Sequence, residues 1–170
     1  MYEFKTNINI DEYIKFTENF SMAPITQDYR WAKVKNNWDN TLCGLYKDGV
    51  LVAVALLLIK TFPFNLKMIY SPRGFLIDYK NIEYLKEFTK GIKQYAKSKK
   101  AFVVKIDPPI AIKEDCLDNI IGKTKNICPK NYSVDSNKKI KLLKELGYIH
   151  KGYGKRISDY IQPRYNMIIS

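Results

Sequence analysis

Histidine is almost missing from this sequence: His150 is the only one in 170 residues. A Ser-His-Asp or Cys-His triad would have to use it as its base, which argues against that class of chemistry. Cysteine is scarce as well. Cys43, Cys116 and Cys128 are odd in number, far apart and never in CxxC spacing, a pattern that suits reduced thiols better than a disulfide framework or a zinc site. Long apolar runs are lacking too, since Leu51–Ile59 extends for only about nine residues against the roughly 20 of a membrane-spanning helix. Glu3, Lys5 and Asn7 stand where a signal peptide would carry its apolar stretch, so a cytoplasmic chain with no transmembrane segment is expected. Of the eight glycines, none sits in an R/Q-x-x-G-x-G/A turn of the kind that cradles a pyrophosphate at a helix N-terminus. Gly152 and Gly154 lie in KGYGK, and Arg73-Gly74 runs into Phe75-Leu76.

Acidic residues are outnumbered, 17 against 29 basic ones, for a net charge of +12. That excess draws the chain toward polyanions such as RNA, nucleotide diphosphates or anionic lipid headgroups. It is spread along the sequence, however, and a lysine-rich solvated surface accounts for it equally well.

What is present is a well-provided core. An apolar share of 46% suits one ordinary domain over residues 1–170. The stretch Thr41–Asp78 organises it: Leu42–Tyr46 is expected to turn at Lys47-Asp48-Gly49 and return as Leu51–Ile59, because Asp-Gly supplies the positive φ of a tight hairpin turn. A third strand, Met68–Tyr70, runs into Ser71-Pro72-Arg73-Gly74, where proline stops the ladder and glycine permits close backbone approach. Tyr2–Thr6 reads as a short strand. A helix opened by Ile10-Asp11 would turn Tyr13, Ile14, Phe16 and Phe20 inward.

Asp28 is placed to cap a helix over Tyr29–Asn37, on which Trp31, Val34, Lys35 and Trp38 would share one face. That face is either a core stripe with Lys35 snorkelling past it or an aromatic-walled pocket in which Lys35 meets a phosphate. Asn81 caps a long helix with Ile82, Leu85, Phe88, Ile92 and Tyr95 inward. The buried-type strand Ala101–Ile106 ends at Asp107-Pro108-Pro109. It delivers a carboxylate to a strand end, either as a ligand-facing group or as an acceptor of backbone N–H bonds in the turn. Ala111–Lys130 shows weak patterning. Ser136 or Asn137 is expected to cap Lys138–Leu146, which Gly147 ends, with strands over Tyr148–Tyr153 and Ile161–Ile169 after it. The order β-α-α-β-β-β-α-β-α-β-β describes an α/β (α+β) fold: a GNAT-like, mixed, mostly antiparallel sheet flanked by helices.

Four segments resemble the FemABX family of peptidoglycan interpeptide-bridge aminoacyltransferases. They are Thr26-Gln27 with Trp31-Ala32-Lys33-Val34-Lys35-Asn36-Asn37-Trp38; Tyr70-Ser71-Pro72-Arg73-Gly74; Lys105-Ile106-Asp107-Pro108; and Gly147-Tyr148 with Ile161-Gln162-Pro163-Arg164-Tyr165-Asn166. They follow the family's order over nearly the whole chain. The resemblance implies an acyltransferase that moves an amino acid from aminoacyl-tRNA, its co-substrate, to the stem-peptide amine of a UDP-MurNAc-peptide or lipid-linked precursor, without a cofactor or metal. It implies the inner membrane surface as a further partner. It places Lys35 on the precursor's diphosphate, Trp38 on the wall of that pocket, Arg73 and Gly74 on the cleft floor and Asp107 near the reacting amine as a candidate base. All are expected to converge on one cleft.

The family continues beyond the match to Gln162–Asn166 into a second GNAT-like half, which should supply an arginine, tyrosines and an oxyanion-stabilising lysine. The chain therefore corresponds to the first half, and it is expected to be a fragment of a longer protein. A non-catalytic half-domain that binds precursor or tRNA, or a small acetyl-CoA-dependent N-acetyltransferase, are the alternatives; the second lacks its glycine-rich turn.

Overall fold

The computed structural model describes residues 1–21, 23–110 and 133–151. The described residues fall into two compact units, one within 1–108 and one within 109–151.

In the first unit five strands lie in the order β1-β2-β3-β4-β5. β1 (Tyr2–Thr6), β2 (Asp39–Lys47), β3 (Val50–Thr61) and β4 (Lys67–Ser71) pair antiparallel, and β5 (Ala101–Ile106) runs parallel to β4. The β2–β3 turn is the Asp48-Gly49 pair, with φ of 50° and 83°, the two-residue solution whose twist matches the flanking strands. Residues 53–59 of β3 are buried without a break, because this central strand is covered on both faces. α1 (Ile10–Glu18) is capped by Asn9, whose Oδ1 accepts the N–H groups of Asp11 at 2.7 Å and Glu12 at 3.3 Å.

α3 (Ile82–Ser98), capped by Asn81 as its sequence indicates, packs Leu85, Phe88 and Ile92 on one sheet face. The Phe88 ring lies 5.3 Å from that of Phe4 and 4.7 Å from that of Phe75. Ile82, expected to point inward, is 54% exposed at the first helical position, before the stripe has rotated onto the sheet. Against the other face Ile8, Tyr13, Tyr46, Val54, Leu56, Leu58 and Leu76 form a cluster, with Trp31, Trp38 and Tyr70 packed at its margin.

The helix expected over Tyr29–Asn37 is a single turn, α2 (Trp31–Val34). Asp28 still binds its start, its carboxylate accepting the Arg30 N–H at 2.8 Å, but Lys35 leaves helical geometry at φ −104°, ψ 51°. The shared face is thereby broken. Val34 is 61% exposed, while Trp38 begins the entry into β2. Packing of the two indoles on the apolar cluster outweighs the helical periodicity that the spacing suggested.

In the second unit α4 (Ser133–Glu145) starts earlier than expected and ends as expected. Gly147 (φ 92°) donates to the Lys144 carbonyl and Tyr148 to that of Leu143, closing the helix in a Schellman arrangement. Tyr148–Lys151 forms no strand. The rest of that strand, the strand over Ile161–Ile169 and the segment Ala111–Lys130 lie outside the described residues, as do Cys116 and Cys128. Cys43 is buried, and burial pushes its thiol well above the ordinary range. Among the described residues no helix is long and apolar enough to cross a membrane.

Candidate functional site

β4 leaves the sheet at Ser71, loops through Pro72-Arg73-Gly74, and the chain returns at Leu76, whose N–H and C=O pair with those of Val54 at 2.9 and 3.1 Å. Between these two points β3 has lost its neighbour, and the Leu56 N–H would be orphaned. Gln27 fills the gap. Its Oε1 accepts the Leu56 N–H at 2.9 Å, and its Nε2 donates to the Pro72 carbonyl at 2.6 Å and to Ser71 Oγ at 3.2 Å. A side-chain amide thus stands in for a peptide unit of the missing strand. Thr26 Oγ1 also donates to the Pro72 carbonyl, at 3.4 Å, and the buried Tyr13 hydroxyl donates to the Gln27 carbonyl at 2.6 Å. Burial raises the Tyr13 hydroxyl well above its usual value. Ser71 Oγ closes the loop by donating to the Gly74 carbonyl at 2.7 Å.

The loop has a left-handed pair at its apex, Arg73 (φ 58°) and Gly74 (φ 75°). A Cβ on Gly74 would lie 2.7 Å from the Pro108 Cα, so glycine is required by conformation and by close approach alike. The Arg73 N–H donates to Asp107 Oδ1 at 2.7 Å, and the Tyr70 hydroxyl donates to Oδ2 at 3.2 Å. The Lys105 ammonium lies 5.3 Å from the Tyr70 ring centroid. Asp107 therefore accepts a backbone N–H in the turn, one of the two roles its position allowed. Burial pushes its carboxyl above the usual range, against the opposing pull of the Arg73 N–H, the Tyr70 O–H and the charges of Arg73 and Lys105. A half-buried carboxylate with raised proton affinity and lone pairs to spare can accept a proton from an ammonium group.

Arg73, Gly74 and Asp107 are thus brought together. Lys35 and Trp38 form a second set. Lys35 is exposed, and its carbonyl accepts the Trp38 N–H at 2.8 Å. The Lys60 ammonium lies 5.5 Å from the Trp38 ring centroid, and Lys60 pairs with Met68 across the ladder. Trp38 also lines a cavity of about 440 Å³ with Asp39, Thr41, Lys67, Tyr95 and Lys99. Trp38 thus lies level with Met68, whereas Arg73, Gly74 and Asp107 gather beyond Ser71, roughly 10 Å further along the strand. Trp38 and Tyr70 pack on the same apolar cluster, so both sets border one sheet face.

Gln27 and Tyr70 carry the geometry of the loop, and no role for either was legible in local patterning. Their partners are 29 to 45 positions away, which local patterning cannot reveal. The one hint was their place within two of the segments that resemble the FemABX family.

The FemAB family matches residues 8–170. The lipid II:glycine glycyltransferase of Staphylococcus aureus (strain MRSA252) is 32% identical over 169 residues, covering 96% of this chain and 34% of the relative. The chain thus spans about a third of the length of that relative. The crystal structure of FemX superposes with a TM-score of 0.70 at 30% identity, covering 95% of this chain and 36% of that one. A ribosomal-protein-alanine N-acetyltransferase from Brucella melitensis biovar Abortus 2308 superposes with a TM-score of 0.53 at 11% identity, covering 92% and 98% of the two chains. That last likeness shows a GNAT-type fold and nothing about activity.

Proposed function

Because this chain belongs to the FemAB family, we propose that it forms the precursor-binding half of an acyltransferase that lengthens the peptidoglycan bridge. The acceptor is the stem-peptide amine of a lipid- or UDP-linked precursor, and aminoacyl-tRNA is the donor. The reaction is aminolysis: the neutral amine attacks the ester carbon, a C–N bond forms, the ester C–O bond breaks, and the tRNA hydroxyl leaves with a proton. An amine is nucleophilic once deprotonated, so the protein's tasks are alignment, proton removal and stabilisation of the oxyanion. Asp107 takes the proton, Lys35 and Trp38 hold the diphosphate end, and Arg73 and Gly74 shape the floor. These substrates place the reaction on the cytoplasmic side.

The observation that carries this reading is the 32% identity to a lipid II:glycine glycyltransferase over 96% of the chain. The spacing of the two sets supports it, because a diphosphate-linked muropeptide is itself extended and offers its phosphates and its amine at separate points. Isothermal titration of the chain with a UDP-linked muropeptide tests it. Binding is expected, and Lys35→Ala should weaken it by about 1–3 kcal/mol, the worth of a charged hydrogen bond. No binding, or binding indifferent to Lys35, overturns the reading.

The second reading is a half that binds without catalysing, and the engagement of both Asp107 carboxylate oxygens by the Arg73 N–H and the Tyr70 hydroxyl favours it. Transfer from glycyl-, alanyl- or seryl-tRNA to the precursor separates the two: turnover by this chain, reduced by Asp107→Asn, supports the enzyme, and precursor binding without turnover supports the binding half.

A further inference from the structure

The connection between β3 and β4, Phe62-Pro63-Phe64-Asn65-Leu66, is closed by the Phe62 N–H donating to the Leu66 carbonyl at 2.7 Å. Phe64 and Asn65 both hold left-handed backbone, at φ 62° and 57°, a region that bulky aromatic residues seldom occupy. The Phe64 ring stands 97% exposed at the apex, and Leu66 beside it is 49% exposed. The Phe62 ring meets that of Phe102 at 6.1 Å, which continues the apolar surface onto the start of β5, where Phe102 is 60% exposed.

Basic residues surround this tip. The Lys60 ammonium lies 5.0 Å from the Phe62 ring centroid, and Lys67 opens β4 immediately after Leu66. Lys67 pairs with Ala101 across the parallel ladder, which brings Lys99 and Lys100 to the same end of the sheet. Lys67 and Lys99 share the cavity described above, where Asp39 is the one carboxylate among the described lining residues.

We propose that this tip docks the protein on an anionic lipid bilayer, Phe64 and Leu66 entering the interface while Lys60, Lys67, Lys99 and Lys100 meet headgroup phosphates. Exposed aromatic rings are unfavourable in water and well suited to the headgroup boundary, and neighbouring lysines add attraction to anionic lipid. An apolar apex ringed by one sign of charge matches that surface better than it matches a neutral protein groove. The docking rests on the reading that the natural precursor is lipid-linked: the tip lies at the same end of the sheet as Trp38, so a diphosphate held there would sit beside the membrane that carries its lipid.

The test is co-sedimentation with phosphatidylcholine vesicles, with and without phosphatidylglycerol. The chain should bind the anionic vesicles, bind pure phosphatidylcholine weakly, and release as salt rises to about 1 M, where screening acts within about 3 Å. Phe64→Ala with Leu66→Ala should lower binding about tenfold, from the lost apolar insertion. Far-UV circular dichroism should be unchanged, since both side chains are exposed. Three results would overturn the proposal: no preference for anionic vesicles, equal binding by the double variant, or self-association of the wild type that the double variant abolishes without any vesicle binding. Titration with soluble UDP-linked muropeptide keeps the two readings apart. If it binds wild type and double variant alike while vesicles fail, the docking falls and the proposed function stands. If the vesicles depend on the tip while the muropeptide fails to bind, the proposed function falls, and with it the reason offered for the docking.

Discussion

The two ends of β4 are built in opposite ways. Beyond Ser71 nearly every polar atom is engaged: Gln27 bridges β3 and the loop, Ser71 binds the Gly74 carbonyl, and Asp107 binds Arg73 and Tyr70. Before Lys67 the chain instead exposes Phe64 and Leu66 beside the half-buried Lys60. One end uses its side chains to hold the backbone; the other turns them toward whatever comes next. Stability should therefore be concentrated at the first end and apolar contact with an outside surface at the second, and substitutions can probe that division.

The largest effect is expected for Gln27→Ala, which orphans the buried Leu56 N–H and leaves the Pro72 carbonyl only the long 3.4 Å bond from Thr26 Oγ1. At about 1–3 kcal/mol for each unsatisfied group, the loss should reach about 3 kcal/mol or more in urea denaturation. Gly74→Ala should follow at about 2 kcal/mol, from left-handed strain and from contact with the Pro108 backbone. A loss below about 0.5 kcal/mol for either would mean that this end is looser than its hydrogen bonds suggest.

Asp107→Asn should act through pH. Burial holds the folded carboxyl above its unfolded value of about 3.9, so the folded chain binds that proton more tightly. The resulting stabilisation is complete below the unfolded value and is lost as pH rises through the folded one. Wild type should lose stability relative to Asp107→Asn across that window, as urea midpoints measured from about pH 3 to 7 would show. Parallel curves would mean that the carboxylate is solvated. The smallest effect on stability is expected for Phe64→Ala, within about 0.5 kcal/mol, because the ring is exposed.

Features set by neighbouring residues were legible from the sequence. Asp48-Gly49 dictates its turn through positive φ, Asn81 caps α3 with its own side chain, and Gly147 ends α4 by adopting a conformation that other residues resist. The succession of elements along the chain through β5 followed from these and from the apolar runs. Where the answer depended on distant partners, local reading stopped short. Trp31, Val34 and Trp38 have helical spacing, yet the chain breaks at Lys35 so that the indoles reach the cluster around Leu56 and Leu58. Arg73, Gly74 and Asp107 were picked out by turn chemistry and strand position, and their meeting was implied by resemblance. The bonds that join them run through Gln27 and Tyr70, which nothing nearby in sequence identifies.

The parallel pairing of β5 also has a consequence in time. β2, β3 and β4 are joined by short turns and can assemble quickly, whereas β5 reaches its place only after roughly 30 further residues have formed α3 and crossed the sheet. Asp107 arrives with that last strand. Among the described strands its meeting with Arg73 is then the closing event of sheet assembly and the earliest casualty of fraying, so amide exchange at Val103–Lys105 should outpace that at Leu56–Leu58. A chain that has let go of this edge would keep most of its sheet and lose the meeting of Asp107 with Arg73.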